Sequence, residues 1–284
     1  MTSIVDKISA LPPLRQMISQ KNFKTKKSLG QNFIFDLSLT QRIAKAASPL
    51  EGTVFEIGPG PGGLTRALFL EGAEKVIAIE KDRRAAQFLE PVVAATNGHL
   101  ILLEEDAMKQ PIWKMGKAPR KIVANLPYNI ATALLLTWLD HASEFASFTL
   151  MFQKEVAERL VAQPGNKSYG RLSILTQWLC QAELKFDIPP QAFIPSPKIT
   201  SSVVHLIPHP QPLYDCRKED LEAITTIAFG QRRKMLRASL KKYGGETLLL
   251  SADIEPTARP QELSIETFTR LANKMRQQNL FTHD

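Results

Sequence analysis

Only two of the 284 residues are cysteine, Cys180 and Cys216, which provide neither a disulfide framework nor metal-ligand spacing and fit a reducing cytoplasm. The five histidines are scattered, so no metal site is expected. Long apolar runs are missing as well. The longest, Ile130 to Leu139, contains two threonines and is too short to span a bilayer. Asp6, Pro12, Pro13 and Arg15 interrupt any signal-peptide core in the first twenty residues. A soluble, cytoplasmic protein that needs neither membrane nor metal is predicted.

Acids are absent from two stretches. From Leu14 to Phe35 there are five basic residues (Arg15, Lys21, Lys24, Lys26, Lys27) and no carboxylate. From Gln231 to Tyr243 the chain carries Arg232, Arg233, Lys234, Arg237, Lys241 and Lys242, again without an acid. The spacing predicts a helix with Arg233, Arg237 and Lys241 on one face and Phe229, Leu236 and Leu240 on another. A charged helix face is most often simply solvated. Two such tracts in a chain of net charge +8 favour a polyanionic partner.

What is present is an alternation of short apolar runs with helical patterns, the signature of an α/β fold with a largely parallel sheet. Strands are expected at 53–57, 75–80, 99–103, 121–125 and 147–152, with helices at 64–71, 83–93, 130–141, 154–162 and 171–181. A further strand is expected at 199–207. Pro208, Pro210 and Pro212 then mark a linker, beyond which the pattern is helical. The expected organisation is a basic arm at 1–30, an α/β domain at 31–212 and a small helical domain at 213–284.

Between the first strand and helix runs Glu56-Ile57-Gly58-Pro59-Gly60-Pro61-Gly62-Gly63. Gly58, Gly60 and Gly63 satisfy a dinucleotide fingerprint, and the acidic Glu80 follows twenty residues after Gly60. A nicotinamide dehydrogenase is therefore one candidate. Against it, Pro59 and Pro61 remove two backbone donors that a pyrophosphate would need, and Glu56 would repel the anion. An acidic, donor-poor loop suits the ammonium and sulfonium of S-adenosylmethionine. Glu80 would accept from the ribose hydroxyls and Asp106 from the cofactor's adenine amine. Either acid alone reads more simply as a solvated strand end; together they line the carboxyl edge of one sheet.

Asn125-Leu126-Pro127-Tyr128 ends the fourth strand. Pro127 forces Leu126 into an extended conformation and offers no N–H, which leaves the Leu126 carbonyl and the Asn125 amide as two acceptors beside an aromatic ring. That set would receive the exocyclic amine of an adenine stacked on Tyr128. The same residues would also serve as a helix cap and a core aromatic. Phe193 stands open between a second stacking ring and a core side chain, and Gln31-Asn32-Phe33 alone reads as a helix-start cap.

With these motifs the chain resembles the bacterial small-subunit ribosomal RNA adenine dimethyltransferases. The resemblance runs from about Lys26 to Lys242 and includes Lys27–Phe33, the glycine loop, Asn125–Tyr128, Phe152–Arg159, Tyr169–Ser173, Ala192–Val204 and Phe229–Arg237. The loop is generic to methyltransferases; Phe152–Arg159 and the arginine-rich end are far more specific. Ile34 and Ala133 depart from the usual Leu and Pro without removing a polar group. The resemblance implies a Rossmann-like S-adenosylmethionine-dependent methyltransferase sheet with a C-terminal α-helical domain, acting as a monomer. It implies cofactor contacts at Asn32, Ile34, Gly58, Glu80, Asp106 and Asn125, and base contacts at Asn125, Leu126, Pro127, Tyr128 and Phe193. RNA would be held by Arg232, Arg233, Lys234, Arg237 and Lys241. The implied reaction dimethylates two adjacent adenines near the 3′ end of the small ribosomal subunit's RNA. A large-subunit RNA methylase of the antibiotic-resistance type, and an assembly factor that keeps the fold as a binding module, are the rival assignments.

Overall fold

The computed structural model describes residues 2–20, 25–26 and 30–281. Lys21, Lys24, Lys27 and the Ser28-Leu29 pair of the first family motif lie outside the described residues.

Two compact units are present. One comprises residues 1–157 and 183–208, the other 158–182 and 209–284. The division differs from the expected one because the segment 158–182 joins the C-terminal helices. Its helix Arg171–Leu179 buries Ile174, Leu175 and Trp178 in one cluster with Leu221, Ile224, Leu249, Phe268 and Leu271.

Among the described residues there are nine strands, which fall in the first unit apart from the first three residues of the seventh: β1 (Phe33–Ile34), β2 (Thr53–Ile57), β3 (Lys75–Ile79), β4 (Leu100–Leu103), β5 (Arg120–Ala124), β6 (Ser147–Gln153), β7 (Cys180–Ile188), β8 (Phe193–Ile194) and β9 (Ser201–Pro208). Seven form one sheet in the order β4-β3-β2-β5-β6-β9-β7, and β1 and β8 pair separately. β4 through β6 in this order are parallel, while β9 runs antiparallel to β6. Every residue of β2 is buried, Thr53 and Glu56 included, as expected of a parallel strand covered on both faces. β2 lies between β3 and β5, so the strand order reverses there and the carboxyl ends of β2 and β5 flank a crevice.

Several elements depart from expectation. The helix expected at 83–93 is two short ones, Arg83–Ala86 and Glu90–Ala95, because Pro91 lacks the N–H that a continuous helix requires and starts the second instead. β7 was not expected. It closes the sheet at its edge, where alternate residues are exposed and the sequence carries Glu183, Lys185 and Asp187.

In the second unit the helix expected through the basic tract is absent. Helix Lys218–Gly230 ends at Gln231, and Arg232–Met235 form a turn before the one-turn helix Leu236–Ser239 and a 3-10 turn at Lys241–Tyr243. The Leu236 and Arg237 N–H groups donate to the carbonyls of Ala258 and Pro256, and these long-range bonds replace helical ones. Leu236 and Leu240 are buried in the core, while Arg233, Lys234, Arg237, Lys241 and Lys242 stay exposed. Arg233, Arg237 and Lys241 therefore do not share a helical face.

Leu236→Ala is expected to cost about 2–5 kcal/mol by leaving a cavity, and Lys242→Ala to stay within about 0.5 kcal/mol of the parent. Denaturant unfolding of both variants checks this. Similar small effects would mean that Leu236 is not a core residue.

Candidate functional site

The glycine loop leaves β2 with Gly58 and Gly60 in the left-handed region, at φ 66° and 55°. A Cβ on Gly60 would lie 2.4 Å from the Phe33 ring, so only glycine allows the N-terminal segment to close over the loop. A Cβ on Gly58 would meet only Pro127 Cδ, at 4.0 Å, and would instead narrow the cleft.

The loop's donors are already spent. The Gly58 N–H donates to the Ile79 carbonyl, Gly60 to a Glu80 carboxylate oxygen and Gly62 to the Pro59 carbonyl, at 2.9, 3.0 and 3.0 Å. Pro59 and Pro61 have none. No N–H from residues 58 to 62 is left to cradle a pyrophosphate, which weighs against the dinucleotide alternative.

Glu80 follows β3 and also accepts from the Asp82 N–H at 2.8 Å, so each carboxylate oxygen is fixed by one backbone donor and keeps a lone pair. Burial raises its pKa, with the backbone donors at Asp82 and Gly60 opposing. Glu56, inside β2, is more extreme. It is 1% exposed, and its Oε2 has no hydrogen-bond partner among the described residues. Burial pushes its pKa up to about 8, with hydrogen bonding from Thr65 opposing and the nearby Glu80 adding to the rise. Glu56 borders a small recess lined by Gly58, Pro59, Pro61, Asn125 and Met151. A buried acid without a cationic partner, next to a loop without free donors, fits a cationic ligand group.

Beyond β4, Asp106 Oδ2 holds Lys81 Nζ at 2.7 Å and Oδ1 accepts from the Met108 N–H at 3.1 Å. The lysine holds the Asp106 carboxyl below the usual carboxylate range. Sequence reasoning missed Lys81. The β3–β4 register, which pairs Ile79 with Leu103, was the signal that the two strand ends would meet.

Asn125 follows β5 directly. Its Nδ2 donates to the Asn32 backbone carbonyl at 2.9 Å, and because a carbonyl can only accept, Oδ1 is left as the free acceptor. Asn125 does not cap the next helix: Tyr128–Leu139 has Pro127 at its N-cap, without a side-chain bond. Asn32 is no cap either, since Asp36 caps helix Leu37–Ala46. Among the described residues no hydrogen bond reaches the Leu126 carbonyl, while the Leu126 side chain is buried. The Tyr128 hydroxyl lies 2.5 Å from Ser201 Oγ.

One cleft gathers most of these groups. Asn32, Gly58, Glu80, Asp106, Asn125, Leu126, Pro127 and Tyr128 line it, with Phe33 and Lys81. Ile34 does not; its side chain is buried in the core beside the Glu56 recess. Phe193 does not line the cleft either. β8 pairs antiparallel with β1, setting Phe193 opposite Ile34, and its ring is 2% exposed within the core. The core alternative therefore describes Phe193, and the cleft takes the ring of Tyr128.

The basic residues belong to the other unit. Arg232 is half-buried, its guanidinium donating to the Lys167 carbonyl and lying 6.0 Å from the Phe229 ring centroid. Among the described residues Arg233, Lys234, Arg237, Lys241 and Lys242 have no carboxylate partner.

Residues 22–277 match the family model described as ribosomal RNA adenine dimethylase. The chain belongs to this family. Among curated relatives of this dimethylase chain, the ribosomal RNA small subunit methyltransferase A of Rhodospirillum rubrum is 54% identical over 264 residues, covering 92% of each chain. That of Agrobacterium fabrum is 53% identical over 272 residues, covering 94% of this chain and 98% of its own. Among solved structures, a dimethyladenosine transferase from Plasmodium falciparum superposes with a TM-score of 0.75 at 26% identity, covering 87% of this chain and 98% of that one. The 23S rRNA methyltransferase ErmE gives 0.66 at 26% identity, covering 86% and 100%. The Rossmann-like methyltransferase fold of the dimethylase follows from these matches and from its seven-stranded sheet. No described helix is long and apolar enough to cross a membrane.

Glu56 gives the ligand-free dimethylase a pH signature. Its folded-state pKa of about 8 lies above the ordinary glutamate value of 4.5, so across that window the folded state holds a proton that the unfolded chain has lost. Stability should therefore fall as pH rises through the window. Glu56→Gln is expected to flatten the fall of Tm between about pH 5 and pH 8, with Glu80 retaining a share. An equally steep fall in the variant would assign it to other groups.

Proposed function

We propose that this chain uses S-adenosylmethionine to dimethylate the exocyclic amines of two adjacent adenines near the 3′ end of small-subunit ribosomal RNA, in the cytoplasm during ribosome biogenesis. The observation that carries this is the Asn125 amide. The Asn32 carbonyl turns it so that Oδ1 is an acceptor, beside the uncommitted Leu126 carbonyl and the Tyr128 ring. Family membership and the names of the small-subunit relatives support the substrate.

The residues present fit the cofactor. Gly58 leaves the cleft open, Glu80 presents a fixed carboxylate to a ribose, Asp106 offers an acceptor for an adenine amine, and Glu56 supplies a buried carboxyl that a nearby ammonium would hold ionised. Asn32 and Asn125 border the same space, and Ile34 backs it from the core. Bound there, S-adenosylmethionine would supply an electrophilic methyl group.

The chain's own work is done on the target adenine. Its amine is a poor nucleophile because the lone pair is delocalised into the ring. Hydrogen bonds from that amine to Asn125 Oδ1 and the Leu126 carbonyl favour the localised, pyramidal form and stabilise the positive charge that develops on nitrogen. Tyr128 stacks the base once it has left its helix. No strong base is required before attack, since the product ammonium is acidic enough to release its proton afterwards. Arg233, Lys234, Arg237 and Lys241, exposed and without carboxylate partners, hold RNA phosphates, with Arg232 at their edge.

Asn125→Ala is expected to slow methyl transfer to small subunits that lack the modification on the order of a hundredfold, as for loss of one transition-state hydrogen-bonding group. Cofactor affinity should fall much less. An unchanged rate would remove Asn125 from the chemistry. Charge reversal of Arg233 and Arg237 to Glu should weaken subunit binding, flatten its salt dependence and spare cofactor affinity. Equal binding by this variant across a salt series would refute the patch.

A further inference from the structure

Tyr128 is the first residue of its helix and follows a proline. A ring in that place is held by the chain at one end only, and its χ2 well is broad. Here the far end is held as well, by Ser201 Oγ at 2.5 Å from the phenolic oxygen. Ser201 opens β9, and its fully buried position is fixed from both sides. It pairs with Gln153 in the β6–β9 register. The Thr200 carbonyl before it accepts from the Lys154 N–H at 2.9 Å. The Ser202 hydroxyl after it donates to Asp187 Oδ1 at 2.6 Å, while Asp187 Oδ2 pairs with Lys154 Nζ at 2.5 Å. Gln153 and Lys154 come from the family-specific segment Phe152–Arg159, and Ser201 from Ala192–Val204. Neither segment supplies a group that lines the cleft.

We propose that Ser201 is a positioning residue whose hydroxyl latches the Tyr128 hydroxyl, holding the ring as a fixed face for the target adenine. The latch rests on the assignment of Tyr128 as the base platform. Pinned at Cβ and at the hydroxyl, the ring cannot swing about χ1, so a stacked adenine keeps its amine in register with Asn125 Oδ1 and the Leu126 carbonyl. The Lys154–Asp187–Ser202 network sets the position of the latch. A register error of about 1 Å at the amine is enough to cost up to ~100-fold in rate.

The test is a double-mutant cycle on the full chain. Single-turnover methylation is measured with saturating cofactor and small subunits lacking the modification, at a temperature well below the lowest variant Tm. Ser201→Ala and Tyr128→Phe should each slow transfer about tenfold, and the double variant should be within about threefold of either, because both remove the same interaction. Ser201→Thr, which keeps a hydroxyl, should recover most of the rate. Cofactor affinity and half-saturating subunit concentration should change less than about twofold, a split that a general loss of structure would not give. Tyr128→Ala should be slower than any of these. If Tyr128→Ala is impaired while Ser201→Ala and Tyr128→Phe react at the parent rate, the latch is overturned and the platform stands. If the two single effects multiply, the hydroxyls act independently and the latch is again overturned. If Tyr128→Ala itself reacts at the parent rate, the platform fails.

Discussion

The hydrogen bond from Asn125 Nδ2 to the Asn32 carbonyl is the contact on which the proposed chemistry depends. It crosses 93 residues of sequence and ties the segment before β1 to the end of β5. Without it the amide could turn its donor toward the cleft and repel the N–H groups of an amine. With it, a side chain able to donate or accept becomes an acceptor only. The Leu126 carbonyl needs no such arrangement, because Pro127 removes the neighbouring donor and holds the backbone extended.

A second constraint acts on the other side of the crevice. Each N–H of the loop from Gly58 to Gly62 is absent or already bonded within the protein, and Glu80 is the hub that joins the Gly60 and Asp82 amides. The loop therefore presents shape and negative charge, the reverse of an anion nest. Glu56 accentuates this character. A carboxyl with no partner for Oε2, buried in a central strand, is costly unless it stays protonated or meets a cation. The two features together point to a ligand carrying positive charge at that end.

The parts of the fold that were legible follow from simple periodicity. β2 was readable because it is covered on both faces, so Val54, Phe55 and Ile57 are apolar without alternation, although Thr53 and Glu56 are buried with them. The acids at 80 and 106 and the Asn125 motif were readable because they stand immediately beyond strands whose direction the βαβ alternation fixes. The illegible parts all depend on distant partners. Phe193 is buried because a two-residue strand pairs with Phe33–Ile34, some 160 residues away in sequence. The basic tract has an acceptable helical pattern, yet Leu236 and Arg237 bond to Ala258 and Pro256, and local spacing carries no trace of that. β7 was hidden because an edge strand tolerates charge on alternate residues. The segment 158–182 reads as a continuation of the α/β pattern, and only the packing of Trp178 and its neighbours assigns it to the helical unit.

The most direct test is methyl transfer from labelled S-adenosylmethionine to small ribosomal subunits isolated from cells that lack this modification, followed by digestion and analysis of the labelled base. The proposed acceptor pair predicts N6,N6-dimethyladenosine from two adjacent positions near the 3′ end. Label in another base, in large-subunit RNA or in ribosomal protein would contradict it.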